Sequence, residues 1–343
     1  MSVRVRDRFR SDAASAIPGG DVADALRIEG LSVRLTRGDA QRPILDGVDL
    51  VVHAGETVGL VGESGSGKSV TSRAALGMFP AGAEVRGRVI VGGVDVVGAR
   101  RSALARVRGG EAAMIFQDPR AGINPVRRVG DFLGERMRRR GIGRAERRTR
   151  CRALLDSVGI SDPDTTLRLY PHQMSGGMLQ RVMIAAALSA EPGLLLADEP
   201  TTALDVTIQA EIIGLLMERR AHSGAAMLFV THDLELAAAV CDRIYVMYAG
   251  RIVECRPSGS LFADPRHPYS VALLRATPRL ESEVPVVPVP GRPLSLAEAP
   301  VGCAFAPRCP HAVDECLEAP PALVGVGDGA AACIRCNDED PRR

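Results

Sequence analysis

Several things are scarce in this sequence, and each scarcity excludes something. There is no tryptophan, and aromatic residues make up 3% of the chain, which argues against a nucleic-acid surface built from stacked rings. There is no apolar run of about 18 residues, so no segment is expected to cross a bilayer as a helix. Charge bias is missing too: 43 Lys and Arg face 41 Asp and Glu, a net +2, with no overall pull toward polyanions. The first ten residues are basic but lack the apolar stretch of an export signal. The chain is therefore expected to stay in the cytoplasm, where its eight Cys act as thiols or metal ligands rather than disulfides. The most telling shortage is lysine. Among 43 basic residues, Lys68 alone is lysine. A coding bias toward arginine explains the rarity but not the place, and the place is a Gly-rich loop that calls for a slim, mobile ammonium.

At 343 residues the length allows a large unit with a substantial core and a smaller one. Residues 1–25 are rich in Arg, Ala and Gly and read as a flexible arm. Alternating apolar runs from Leu26 to Val52, broken at Arg37-Gly38-Asp39, predict antiparallel strands. Glu56 to Val61, Val89 to Val91, Ala112 to Phe116, Leu194 to Ala197, Ala226 to Val230, Ile244 to Tyr248 and Ile252 to Glu254 read as further strands. The shorter apolar runs suit a parallel sheet buried on both faces. Helical segments are expected at Val70 to Leu76, Val206 to Arg220 and Leu234 to Val240, and Arg-rich helices fill residues 118–188. A Pro-rich stretch, Pro285 to Pro300, leads into a Cys-bearing end. No internal repeat is visible, so the chain carries a single nucleotide-binding unit.

Gly62-Glu63-Ser64-Gly65-Ser66-Gly67-Lys68-Ser69 matches G-x-x-x-x-G-K-S, after a strand and before a helix that begins with Val70. Glycines let successive backbone N–H groups turn toward phosphate oxygens. Lys68 reaches the β- and γ-phosphates, and the Ser69 hydroxyl binds Mg²⁺. Leu194 to Ala197 ends in Asp198-Glu199. Asp198 is placed to hold Mg²⁺ through water, and Glu199 to polarise the attacking water. The bland alternative for both acids is to cap the following helix. Ser175-Gly176-Gly177-Met178-Leu179-Gln180 opens a second Gly-rich helix start. That is either a plain helix cap or another anion site, serving the ATP of a partner chain.

With these segments in order, residues 26–256 closely resemble the ATPase family of ABC transporters. The resemblance implies an α/β fold: a P-loop NTPase (RecA-like) core, an antiparallel β subdomain and an inserted α-helical subdomain at about 118–188. It also implies that Gln117 is the Q-loop glutamine, touching Mg²⁺ and the attacking water. Ser175, Gly176, Gly177 and Gln180 become the signature that meets the γ-phosphate across a dimer. Asp205 becomes the D-loop residue at that interface, and His232 the switch histidine on the γ-phosphate. Catalysis falls to Glu199, His232 and Lys68. Two departures stand out. Met174 replaces the usual Leu before the signature, a near-isosteric change, and no aromatic stands near Leu35, where one normally stacks on adenine.

Residues 257–343 narrow the resemblance. His267-Pro268-Tyr269, Leu273-Leu274 and Gly302-Cys303-Ala304-Phe305-Ala306-Pro307-Arg308-Cys309-Pro310 resemble the C-terminal region of oligopeptide and dipeptide importer ATPases. Cys303, Cys309, Cys316 and Cys333 follow a C-x5-C-x6-C-x16-C spacing. Four thiolates can staple a small Cys-rich region around a metal. Spacing leaves zinc and iron–sulfur both open; the resemblance implies a 4Fe-4S cluster, with Cys336 a rival for the fourth ligand. Cys151, Cys241 and Cys255 stand apart and read as core residues. The Arg-dense stretch from Arg127 to Arg152 is interrupted by Asp131, Glu135 and Glu146, and reads first as a solvated helix face.

The implied partners are a second ABC ATPase, homologous or identical, two transmembrane permease subunits and an extracytoplasmic substrate-binding protein, with no nucleic acid. The implied place is the cytoplasmic face of the cell membrane. A soluble ABC ATPase acting on nucleic acid or ribosomes, or an exporter motor, is the competing reading. It fits less well, because the former usually carries two ATPase units or long coiled coils, and the importer-type tail points away from both. With no ring near Leu35 to stack on the base, ATP and GTP should be discriminated poorly. Competition binding checks this, and a clear preference for ATP would count against it.

Overall fold

The computed structural model describes residues 23–37, 40–201, 206–277 and 287–336. The chain divides into two compact units, residues 1–99 with 229–343 and residues 100–228.

In the first unit two 14-residue strands, β1 (Asp24–Arg37) and β2 (Ala40–His53), pair antiparallel. Leu26 and Ile28 are buried, then Leu31 and Val33, so the buried parity changes by one residue between them. The register shifts at that point, and Gly30 has φ +57°, which marks a bulge that re-aims the strand. Then come β3 (Thr57–Val61), β4 (Ala83–Val91) and β5 (Val94–Asp95). They are followed, in the second unit, by β6 (Ala112–Ile115) and β7 (Leu194–Asp198), and by β8 (Ala226–Thr231), on which the boundary between the units falls. The first unit resumes with β9 (Arg243–Tyr248), β10 (Arg251–Pro257), β11 (Val324–Val326) and β12 (Gly329–Ala331).

The antiparallel sheet has the order β2-β1-β4-β5. Around the loop that follows β3, the first unit's other strands run β11-β12-β10-β9-β3-β8. β3 and β9 are parallel, and every residue of both is buried. A strand covered on both faces needs a continuous apolar run rather than alternation. The second unit orders its strands β8-β7-β6, with β6 and β7 parallel. Its helices include Arg144–Ser157 and Gly176–Leu188, and Val206–Ser223 follows β7.

Two features go beyond the sequence reading. The end of the chain joins the sheet: β12 pairs antiparallel with β10 (Glu254↔Ala331, Cys255↔Ala330), and β11 pairs with β12. Val-Gly-Val and Gly-Ala-Ala are too short and too Gly-rich to announce themselves as strands. The helix Arg101–Arg106 runs into a π-turn, Val107–Glu111, ahead of the helical stretch expected from residue 118. The Arg-dense segment is laced with ion pairs, Glu135 to Arg127 and Arg139, Glu146 to Arg150, and Asp164 to Arg148 and Arg152. That is the pattern of a solvated face, where each pair contributes little. No described helix is long and apolar enough to cross a membrane.

Ion pairs of the first unit include largely buried ones, such as Arg243 with Glu56. Arg243, at the start of β9, donates to both carboxylate oxygens of Glu56 (2.9 and 2.8 Å) and to the Val51 carbonyl (3.1 Å). The two side chains are 10% and 16% exposed. Replacing one partner strands the other charge away from water. Arg243→Met should therefore cost about 3 kcal/mol of stability, read as a lowered urea midpoint at unchanged slope.

Candidate nucleotide site

The turn after β3 bends through glycines. Gly62, Gly65 and Gly67 have φ of +152°, +80° and +109°, a region that side chains rarely adopt. At Gly62 a Cβ would lie 2.1 Å from the Met247 carbonyl oxygen; at Gly67 it would lie 2.6 Å from Leu45 Cδ2. Only glycine fits at either place. The buried Lys68 turns its ammonium back across the loop, donating to the carbonyls of Gly62 (2.8 Å) and Glu63 (3.0 Å). A slim ammonium closes this ring of carbonyls where a planar guanidinium would be too broad, which accounts for the place of the single lysine. Gly250 N–H ties the Ser66 carbonyl at 2.8 Å. Ser64 and Gly65 stand exposed at the tip, while Ser69 and Val70, in the helix that follows, are half-buried. Ser66 Oγ is buried and makes no hydrogen bond among the described residues. A loop with an exposed tip, an unsatisfied hydroxyl and an ammonium held within it suits an anion such as a polyphosphate.

The loop is also gripped from the far end of the sequence. Glu63 N–H donates to the Tyr269 hydroxyl at 2.9 Å. The Arg308 guanidinium donates to both Glu63 carboxylate oxygens, at 2.6 and 3.0 Å. Tyr269 follows His267, whose Nδ1 accepts from Tyr269 N–H (3.0 Å) and so caps the helix Pro268–Arg275. Burial drives the His267 imidazole down to about 4, so it caps as the neutral ring. His232 is exposed, just past β8. Its neighbour Asp233 caps the helix Leu234–Val240 by accepting from Leu236 N–H at 3.0 Å.

The second unit carries the acids. Asp198 ends β7 and is fully buried; Glu199 follows with φ +47°. Such a backbone is costly for a non-glycine residue and concentrates at functional sites. The parallel register pairs Ile115 with Ala197, so Gln117 and Glu199 each stand two residues beyond the same rung. Gln117 Nε2 donates to Glu199 Oε2 at 2.9 Å. Ser175 caps the helix Gly176–Leu188, its Oγ accepting from Met178 N–H at 3.3 Å. Ser175 and Gly176 are exposed and Gly177 is half-buried, whereas Gln180 is 2% exposed. Gln180 Nε2 donates to the Pro200 carbonyl at 2.6 Å, bracing the turn just after Glu199 from within the same chain. Asp205 lies outside the described residues.

Of the eight cysteines, Cys151, Cys241, Cys255 and Cys336 are buried. Cys303, Cys309, Cys316 and Cys333 are half-buried. Burial raises the Cys303, Cys309 and Cys333 thiols, the last to about 11, and neighbouring thiols add to the effect. Cys316 acts in this way on Cys303 and Cys309, and Cys303 and Cys309 act on Cys333. Cys336 acts on Cys333 as well, and Cys303 N–H donates to the Cys316 carbonyl at 2.7 Å, so Cys336 shares a region with the other four thiols. Among the described residues, however, no group of three or more His, Cys, Asp or Glu is placed to hold a metal ion, so as they stand these thiols do not form the closed ligand set expected from the sequence.

Sequence reasoning missed the hold of Arg308 and Tyr269 on Glu63, because no local pattern links positions so far apart. Similar proteins place the site in context. The family description "ABC transporter" matches residues 45–202, and "Oligopeptide/dipeptide transporter, C-terminal region" matches residues 253–316. A putative peptide import ATP-binding protein of Brucella abortus is 45% identical over 326 residues, covering 90% of this chain and 96% of that protein. The oligopeptide transport ATP-binding protein OppD of Salmonella typhimurium is 43% identical over 316 residues, covering 92% and 94%. The OppD of Mycobacterium tuberculosis is 45% identical over 320 residues and 92% of this chain, but the chain spans only 51% of that relative's length. Among solved structures, an ATP-binding cassette in a dimeric post-hydrolysis state with ADP and Pi matches with a TM-score of 0.60. It is 26% identical and covers 68% of this chain and 98% of that one. With two relatives matched almost end to end at well over 30% identity, the chain belongs to the ABC-transporter ATP-binding family, in the branch of the oligopeptide and dipeptide transporters.

Proposed function

We propose that this chain hydrolyses ATP to drive import of oligopeptides or dipeptides across the cytoplasmic membrane. It would work with a second ATPase, identical or related, two permease subunits and a substrate-binding protein. The observation that carries the hydrolysis is the presentation of Glu199: a left-handed backbone turns it out of the end of β7, and the Gln117 amide holds its carboxylate. Its chemistry is that of a general base for water. Lys68 and the N–H groups of residues 62–69 hold the phosphates and draw off charge as the γ-phosphoryl leaves. His232 contributes a further donor to that charge. Ser69, Gln117 and, through water, Asp198 would hold Mg²⁺, which would supply charge neutralisation on the phosphate oxygens. Ser175 and Gly176, exposed at a helix start, and the half-buried Gly177 would present N–H groups to the nucleotide of the partner ATPase, with Asp205 at the same interface. The dimeric state of the similar cassette supports that pairing.

The expected measurement is ATP-dependent uptake of a labelled peptide into vesicles that hold the assembled transporter. Glu199→Gln should lower ATP turnover by a factor of about 10² to 10⁴ and abolish uptake, while ATP stays bound. Undiminished turnover in that variant would remove Glu199 from the role of base.

A metal centre at Cys303, Cys309, Cys316 and Cys333 is the other part of the proposal, a 4Fe-4S cluster ahead of zinc. Its support is the shared region of the four thiols and the resemblance of the sequence around them. Because the thiols are not arranged as a closed ligand set, no step of hydrolysis is routed through them, and any role is structural. Protein purified without oxygen should be brown and hold iron and acid-labile sulfide in equal amounts, both lost in Cys309→Ser. A colourless preparation containing zinc or no metal would rule the cluster out.

A further inference from the structure

Glu63 is out of place on electrostatic grounds. It is the single carboxylate within residues 62–69, a segment whose backbone is shaped to receive an anion. A bare carboxylate there repels phosphate, and the repulsion is strong where water is partly excluded. The structure answers this charge with Arg308. The Arg308 side chain is 4% exposed and that of Glu63 19%, and both carboxylate oxygens are engaged. Arg308 is itself fixed on every side. It donates to the Pro290 carbonyl at 2.6 Å and to the Tyr248 hydroxyl at 3.3 Å, and its guanidinium lies over the rings of Tyr248 and Phe305 at 5.7 and 5.8 Å. Such a locked, bidentate fork is the geometry in which arginine holds a carboxylate most firmly. The Tyr269 hydroxyl fixes the Glu63 backbone at the same time. All these residues belong to the first unit.

We propose that Arg308 is a positioning residue for nucleotide binding: it acts through Glu63, neutralising and turning aside the one carboxylate of the phosphate loop. The C-terminal region, in which Arg308 directly precedes Cys309, then sets the affinity of the loop for triphosphate. The inference rests on residues 62–69 being the nucleotide cradle.

The test is the dissociation constant of MgATP, measured by titration calorimetry on the full chain, for Arg308→Met, for Arg308→Met with Glu63→Gln, and for Lys68→Ala. Arg308→Met should weaken binding about tenfold, about 1.4 kcal/mol. The weakening should shrink as salt is raised, and KM for ATP should rise more than kcat falls. Adding Glu63→Gln should bring affinity back to within about threefold of the parent, because the offending charge is then gone. A purely structural role for Arg308 gives no such rescue. Unchanged affinity in Arg308→Met, or a double variant as weak as the single one, overturns the proposal. If Arg308→Met cannot be purified folded, Arg308→Gln, which removes the charge but keeps a polar side chain, replaces it. A rise of about threefold that Glu63→Gln erases supports the proposal, and no rise overturns it. Lys68→Ala separates the two levels: if it binds MgATP like the parent, the nucleotide reading of the loop fails, whatever Arg308 does.

Discussion

Backbone N–H groups face an anion only where the chain turns through conformations that side chains forbid, and the rest of the first unit is arranged around keeping one such turn in place. The parallel pairing of β3 with β9, Val61 beside Val246, brings the Met247 carbonyl against Gly62 and leaves no room for a side chain. Leu45 closes on Gly67, and Gly250 N–H holds the Ser66 carbonyl. Lys68 then closes the ring from inside. A loop held by so many independent contacts loses little further entropy when a ligand arrives, which is the benefit of preorganisation.

The second unit applies a different device to two adjacent acids. Asp198 keeps the extended geometry of β7 and is sealed from water, while Glu199 takes a left-handed backbone and is half-buried. Strain of this kind persists only where neighbours over-determine it. Here the neighbours are Gln117 on the carboxylate and Gln180 on the carbonyl of Pro200. The helix that Ser175 caps therefore also braces the turn that carries the acid.

Much of this was legible from residue order alone. A solitary lysine marked the loop, apolar runs located β3 and β6 to β10, and Asp198, Glu199 and Ser175 were each marked by standing at the end of a strand or the start of a helix, whereas Gln117 came from the family resemblance alone. Local sequence encodes such positions because strand ends and helix caps are local events. What stayed hidden depends on contact between distant stretches. Nothing near Glu63 signals Arg308, nothing in Gly329-Ala330-Ala331 signals a strand, and the π-turn at Val107–Glu111 lies in an unremarkable run of Arg and Gly. The expected metal centre stands apart from both groups. Its four thiols were readable as a set, yet cysteine spacing does not encode how sulfurs converge in space.

The short strand β12 has a consequence out of proportion to its three residues. By lying along β10, it covers backbone N–H and C=O groups that would otherwise offer themselves to any extended chain nearby. The same segment closes over a buried turn, since Ala332 N–H bonds the Val253 carbonyl while Glu254 accepts from the N–H groups of Arg266 and His267. A fragment ending soon after β10 would thus be a sticky one, prone to pairing with its own copies. The tail is stitched into the engine it follows, and shortening it trades a finished edge for an aggregation surface.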